Sequence, residues 1–111
     1  MSEQKQKEYN PYQEIIDSHL NSSQIVVYSK TTCVYSKRII ECIRKLNIEP
    51  LVIQLDHHDN GIELQDALLD RTGILMVPTI PSIWVNKKYI GGFDDTYGII
   101  KAGLFLNTLT M

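Results

Sequence analysis

Ile25-Val26-Val27-Tyr28-Ser29-Lys30-Thr31-Thr32-Cys33-Val34-Tyr35-Ser36-Lys37-Arg38-Ile39-Ile40-Glu41-Cys42-Ile43 passes from an unbroken apolar run, through a polar turn, into a helical repeat. The β-branched and aromatic run Ile25 to Tyr28 has no polar interruption, which predicts a strand buried on both faces and central in a sheet. Ile39, Cys42, Ile43 and Leu46 recur at i, i+3, i+4, i+7, while Lys37, Arg38, Glu41, Arg44 and Lys45 fill the rest of the turn. That pattern predicts an amphipathic helix packed on the sheet. After Asn47 and Pro50, Leu51-Val52-Ile53-Gln54-Leu55 reads as a second buried strand, so the unit is β-α-β with a parallel pair and a right-handed crossover.

Upstream, Tyr12, Ile15, Ile16 and His19-Leu20 follow Pro11 at helical spacing and predict a first helix. Residues 1–9 are polar and read as a frayed tail, leaving 10–111 as the folded domain. Downstream, Asp59-Asn60-Gly61 turns the chain. Asn60 with Glu63 offers N-cap chemistry to a third helix whose apolar side is Ile62, Leu64, Ala67 and Leu68 and whose stop is Gly73. Ile83-Trp84-Val85 and Tyr89-Ile90, joined through Asn86-Lys87-Lys88, predict an antiparallel hairpin. Gly91-Gly92 ends it, Asp94 or Asp95 can cap the next segment, and Ile99, Ile100, Leu104 and Phe105 suggest terminal helix. The order α-β-α-β-α-β-β-α predicts an α/β sandwich with a four-stranded mixed sheet flanked by helices, and it resembles the thioredoxin group.

The bulk numbers narrow the function. With 111 residues, 43% of them hydrophobic, the chain suits one domain. A net charge of -2 with interspersed signs gives no basic face, which argues against nucleic acid as a partner. The apolar runs are far shorter than the roughly 20 residues a bilayer span requires, and neither a membrane span nor a signal peptide is expected. Two cysteines are too few for a disulfide framework and fit a reducing, cytoplasmic setting.

Cys33 stands where a strand gives way to a helix, so its sulfur is expected beside the unpaired N–H groups of the first turn. The helix dipole, with Lys30, Lys37 and Arg38 nearby in sequence, favours thiolate over thiol. Polar neighbours on both sides argue for an exposed nucleophile over a core residue. Cys42 lies on the apolar stripe nine residues later, roughly 13 Å along a helix and beyond the about 6 Å that a disulfide tolerates. It is expected to fill the core.

Lys30-Thr31-Thr32-Cys33-Val34-Tyr35-Ser36 resembles the active-site turn of glutaredoxins, whose pattern is lysine, two residues, then Cys-x-Tyr-Cys. Ser36 stands in place of the second cysteine. Thr79-Ile80-Pro81-Ser82-Ile83-Trp84-Val85-Asn86 is similar to the family's Thr-Val-Pro-x-Ile-Phe-Val-Asn, and Ile90-Gly91-Gly92-Phe93-Asp94-Asp95 to its Ile-Gly-Gly-x-Asp-Asp. The likeness runs from the first helix to Gly103. It implies a cis proline at Pro81 and a backbone platform at Ile80 for the cysteinyl part of glutathione. It also implies that Lys30 and Gln65 meet the glycine carboxylate, that Asp94 and Asp95 hold the γ-glutamyl end, and that Tyr35 forms a groove wall. The chain departs from the pattern at Ile74-Leu75-Met76, where the family has a polar pair after Thr-Gly. About three residues are inserted there, which puts one carboxylate contact in doubt and leaves Val77-Pro78 as a rival platform. Keeping the hairpin in register favours Ile80-Pro81.

With Ser36 unable to resolve a disulfide, the resemblance implies a monothiol route, in which Cys33 exchanges glutathionyl groups with glutathione and glutathionylated proteins while Ser36 donates to its sulfur. The chain is expected to be a monomer. A second reading is a [2Fe-2S] cluster held between two chains by Cys33 and glutathione. The short spacing from Lys30 to Cys33 favours the catalyst. A non-enzymatic glutathione-binding module is a third reading. His57-His58, between Asp56 and Asp59, lacks the spacing of a zinc site and reads as a solvated loop, so no protein metal site is expected.

Overall fold

In a computed structural model, residues 10–73 and 80–110 are described. The expectations for the tail at 1–9 and for the departure at 74–78 lie outside them. The elements run α1 (Pro11–Ser22), β1 (Ile25–Ser29), α2 (Val34–Arg44), β2 (Leu51–Gln54), α3 (Gly61–Thr72), β3 (Ser82–Val85), β4 (Lys88–Gly91), α4 (Phe93–Lys101) and a short α5 (Phe105–Thr108). Among the described residues the strands form a four-stranded sheet in the order β2-β1-β3-β4. β1 pairs β2 in parallel and β3 antiparallel, and β3 pairs β4 antiparallel. This is the expected thioredoxin-like sandwich.

The alternation of β1 sorts the core into two layers. Val26 and Tyr28 pack with Trp84 of β3 against Ile16 and Leu20 of α1 and Leu64, Ala67 and Leu68 of α3. Ile25 and Val27 pack with Ile83 and Val85 against Ile39, Ile40 and Ile43 of α2 and Phe105 of α5. Every residue of β1 is buried because both faces are covered, and each such large apolar side chain contributes roughly 1.5–3 kcal/mol. Cys42 packs half-buried at the edge of the second layer, in keeping with a filling role. A polar seam ties α1 to α3: Gln13 donates to the Ala67 carbonyl at 2.7 Å, and Arg71 bonds both Gln13 and Asp17.

Several boundaries differ from the sequence reading, each for a local reason. β2 is an edge strand and only half-buried, and it stops at Gln54, with Leu55–His57 turning as a 3-10 helix that drives Leu55 into the core. Asn60 makes no side-chain cap; instead the His58 ring accepts from the Asn60 amide at 3.1 Å. Ile62 faces solvent at 77% exposure, because its place two residues before Leu64 turns it about 200° from the buried stripe. The N-cap of α4 is Gly92, and Asp94 and Asp95 sit inside its first turn, where acidic groups suit the positive end of the helix. The β3-β4 connection is the two-residue turn Asn86-Lys87, with φ of 50° and 69°; this positive-φ pair matches the twist of a hairpin, so Lys88 is freed to join β4. Gly73 closes α3 with φ of 73°, as its position implied.

Candidate active site

β1 delivers the chain to the site and α2 receives it. Lys30 turns the backbone so that the Cys33 amide donates to its carbonyl at 2.9 Å, and Cys33 becomes the N-cap of α2 with φ of -91° and ψ of 113°. A cap side chain accepts from the first-turn amides, and here the acceptor is sulfur: the Ser36 amide donates to Cys33 Sγ at 3.4 Å. On its other side the thiol donates to the Ile80 carbonyl at 3.5 Å. The Ile80-Pro81 peptide is cis.

Burial of Cys33 by itself raises the acidity constant of its thiol. Hydrogen bonding from the Ser36 hydroxyl and amide and from the Tyr35 amide, together with the charge of Lys30, outweighs burial, and the net shift is downward. The Ser36 oxygen is fully buried and forms no complete hydrogen bond in the resting thiol state. We reconcile the two facts by chemistry: a neutral thiol is a weak acceptor, and the same hydroxyl gains a strong partner once the sulfur is ionised. Of the three cations that the sequence placed near the sulfur, Lys30 alone contributes. Lys37 is exposed on α2, and Arg38 lies over the Phe93 ring, 5.4 Å from its centroid.

A groove of about 570 Å³ lies beside the cysteine turn. One wall is Tyr35 of α2, the floor is Ile80-Pro81, and the far side is Tyr89 of β4 with the Gly92–Asp95 run that starts α4. Tyr35, Ile80, Pro81, Asp94 and Asp95 are thus brought to one surface. Lys30 reaches it only through its charge on the sulfur, and Gln65 is half-buried on α3, away from the groove lining. Tyr89 and Phe93 were missed as groove residues, although Tyr89 precedes the Ile-Gly-Gly motif and Phe93 lies within it. Burial and the nearby Asp95 charge both push the Tyr89 phenol up, so it remains a hydrogen-bond donor at neutral pH.

Gly91 joins fold to groove. Its φ of 141° lies where side chains strain the backbone, and a Cβ there would come within 2.6 Å of the Asp95 carboxylate. The missing side chain is the seat of Asp95.

The loop before Cys33 is held from a second direction. Asp56, in the 3-10 turn after β2, accepts from the Thr31 amide and hydroxyl. Thr31 hydrogen bonds, the hydroxyl's first, hold the Asp56 carboxyl below its usual range. The neighbouring histidines complete no metal site: among the described residues no group of three or more His, Cys, Asp or Glu side chains converges. A [2Fe-2S] cluster takes four sulfur ligands, and this site presents the single thiol of Cys33, so one chain does not fit the group.

The glutaredoxin family model matches residues 25–90, which run from β1 through the cis proline to β4. The chain is 37% identical over 81 residues to the monothiol glutaredoxin-S6 of Oryza sativa subsp. japonica, covering 73% of this chain and 60% of that one. It is 35% identical over 91 residues to a glutaredoxin of Vernicia fordii, covering 82% and 85%. The structure of a buckwheat glutaredoxin-glutathione complex superposes with a TM-score of 0.81 at 31% identity, covering 90% of this chain and 88% of that one. The matched residues include Cys33 and the cis Ile80-Pro81 bond, and the chain belongs to the glutaredoxin family, whose members are glutathione-dependent oxidoreductases.

Proposed function

We propose that this protein reduces mixed disulfides between glutathione and proteins or small thiols by a monothiol route. The observation that carries the reading is Cys33 Sγ at the positive end of α2, 3.4 Å from the Ser36 amide and 3.5 Å from the carbonyl of Ile80, which lines the adjacent groove. In the first step the Cys33 thiolate attacks the glutathionyl sulfur of the substrate. A Cys33-glutathione disulfide forms, the old sulfur-sulfur bond breaks, and the substrate leaves as a thiolate that takes a proton from solvent. A glutathione thiolate then attacks the same glutathionyl sulfur, releasing glutathione disulfide and restoring the Cys33 thiolate. One free glutathione is consumed per turnover as the reductant, and the other half of the released glutathione disulfide is the glutathionyl group that the substrate brought.

Ser36 supports the monothiol form, since it fills the position from which a second thiol would attack and supplies a proton donor without redox chemistry. In this reading the Ile80 backbone pairs with the cysteinyl part of glutathione, Asp94 and Asp95 hold the γ-glutamyl ammonium, and Tyr35 walls the groove. Lys30 meets the glycine carboxylate. Neither Lys30 nor Gln65 lines the groove; Lys30 is supported by its charge on the Cys33 sulfur, and Gln65 has no such support. Cys33→Ser is expected to abolish steady-state reduction of a glutathione mixed disulfide; retained turnover would end the proposal. Visible absorbance after anaerobic reconstitution with iron, sulfide and glutathione tests the competing cluster reading.

A further inference from the structure

The seam between α2 and α4, next to the groove, carries a ladder of rings with cations laid on it. Tyr35 and Phe93 lie 5.1 Å apart between centroids, and Phe93 and Tyr97 are stacked at 5.2 Å with an interplanar angle of 13°. The Arg38 guanidinium rides over Phe93 at 5.4 Å and the Lys101 ammonium over Tyr97 at 5.7 Å. Aromatic faces attract cations but neutralise them only in part, so each retains capacity for an anion and is held in place to meet one.

Those charges lack acidic partners. Among the described residues Arg44 pairs with Glu49 and Arg71 with Asp17, whereas Arg38, Lys101 and the exposed Lys37 take part in no ion pair. Arg38 and Lys101 are thus cations held on ring faces without an ion-pair partner among the described residues. Val34 and Tyr35, directly after Cys33, are adjacent in sequence and 64% and 55% exposed. Of the acidic groups nearby, Glu41 lies one turn beyond Lys37 and Arg38 on α2 and makes no ion pair with either, while Asp94 and Asp95 line the groove itself.

We propose that this cation-bearing aromatic strip docks the polypeptide half of the mixed disulfide and selects protein substrates with acidic side chains close to the glutathionylated cysteine. The proposal rests on the oxidoreductase reading and adds its substrate preference. Glutathione takes the groove, and the polypeptide leaves over Val34 and Tyr35 along the strip. Arg38 lies five residues beyond Cys33, a rise of roughly 7.5 Å on a helix. An extended peptide covers about 3.3 Å per residue, so the acidic side chain belongs about two to four residues from the modified cysteine.

The test compares two glutathionylated peptides, identical except for Asp or Lys three residues from the cysteine, with the mixed disulfide of glutathione and 2-mercaptoethanol as a small substrate. At low salt kcat/KM is expected to favour the acidic peptide by about five- to tenfold, mostly through KM, and the preference should shrink as salt rises. Lys101→Glu should leave the small substrate's turnover unchanged while lowering the acidic-to-basic ratio. Adding Arg38→Glu should bring that ratio to unity or below. Equal kcat/KM for both peptides at low salt, or a ratio that survives the double substitution, would overturn the docking surface. Failure to turn over the small substrate would instead remove the oxidoreductase reading beneath it, so the two failures are separable.

Discussion

Asp56 grips Thr31 with both carboxylate oxygens: the Thr31 amide donates to Oδ1 at 3.0 Å and to Oδ2 at 3.2 Å, and the hydroxyl also donates to Oδ2. The clamp joins the turn after β2 to the loop that carries Lys30 and Cys33. Removing it with Asp56→Ala is expected to let that loop drift, raising the midpoint of Cys33 alkylation against pH and lowering mixed-disulfide turnover by about tenfold. Asp56→Asn keeps an acceptor and should recover much of the loss. Because Asp56 is exposed, the thermal melt should barely move; a large fall in Tm with an unchanged alkylation profile would contradict a positioning role.

The buried Ser36 hydroxyl is expected to serve the ionised sulfur. Its contribution lowers the Cys33 thiol's acidity constant, so Ser36→Ala should shift the alkylation midpoint upward and slow the reaction near neutrality by about two- to tenfold. Alkylation of wild-type Cys33 should be half-maximal below the pH of an unperturbed cysteine and fall away as pH drops through that midpoint. An identical profile for the alanine variant would rule the hydroxyl out.

Gly91→Ala is expected to act on both fold and groove. The added methyl meets Asp95 at 2.6 Å while the backbone stays at φ of 141°, so unfolding by urea should show a loss of about 1–3 kcal/mol. Displacement of Asp95 should also raise the KM for glutathione. Unaltered KM in the folded variant would show that Asp95 does not hold the tripeptide.

His19 makes stability depend on pH. Its ring is 3.0 Å from the Tyr28 hydroxyl, and burial followed by the nearby His58 charge lowers its pKa from 6.5. The unfolded chain therefore binds the proton first as pH falls. Stability from this group is at its full value above 6.5 and declines below it until the lower folded value is passed. Chemical denaturation between about pH 7 and about pH 5 should show this decline, and His19→Gln should flatten it. An equally steep decline in the variant would assign it to other groups.

The strand-turn-helix passage from Ile25 through Cys42 was legible because its three signals are local. An unbroken apolar run marks a two-sided strand, a stripe at helical spacing marks the packed face of α2, and a lone cysteine between them marks the cap. Pro81 and the Gly91-Gly92 pair were legible through motif resemblance. The failures share one cause. Asn60, Asp94 and Asp95 were all chemically able to cap, but capping depends on backbone angles: Asn60 stands at the N-cap of α3 without a side-chain bond, its own amide held by His58, and Gly92 takes the N-cap of α4. Ile62 has the composition of a core residue, but its angular position turns it to water.

Sequence by itself determined the layer order, the two faces of β1, the place of Cys33 at the strand-to-helix turn and the absence of a second thiol three residues on, because each depends on residue type and spacing. Tertiary structure alone decided that Lys30 and not Arg38 acts on the sulfur, that Asp56 holds Thr31 across 25 residues of chain, and that Tyr89 and Phe93 join the groove. These are meetings between segments distant in sequence, and their geometry is set by how β2 and α4 pack around the β1-α2 turn.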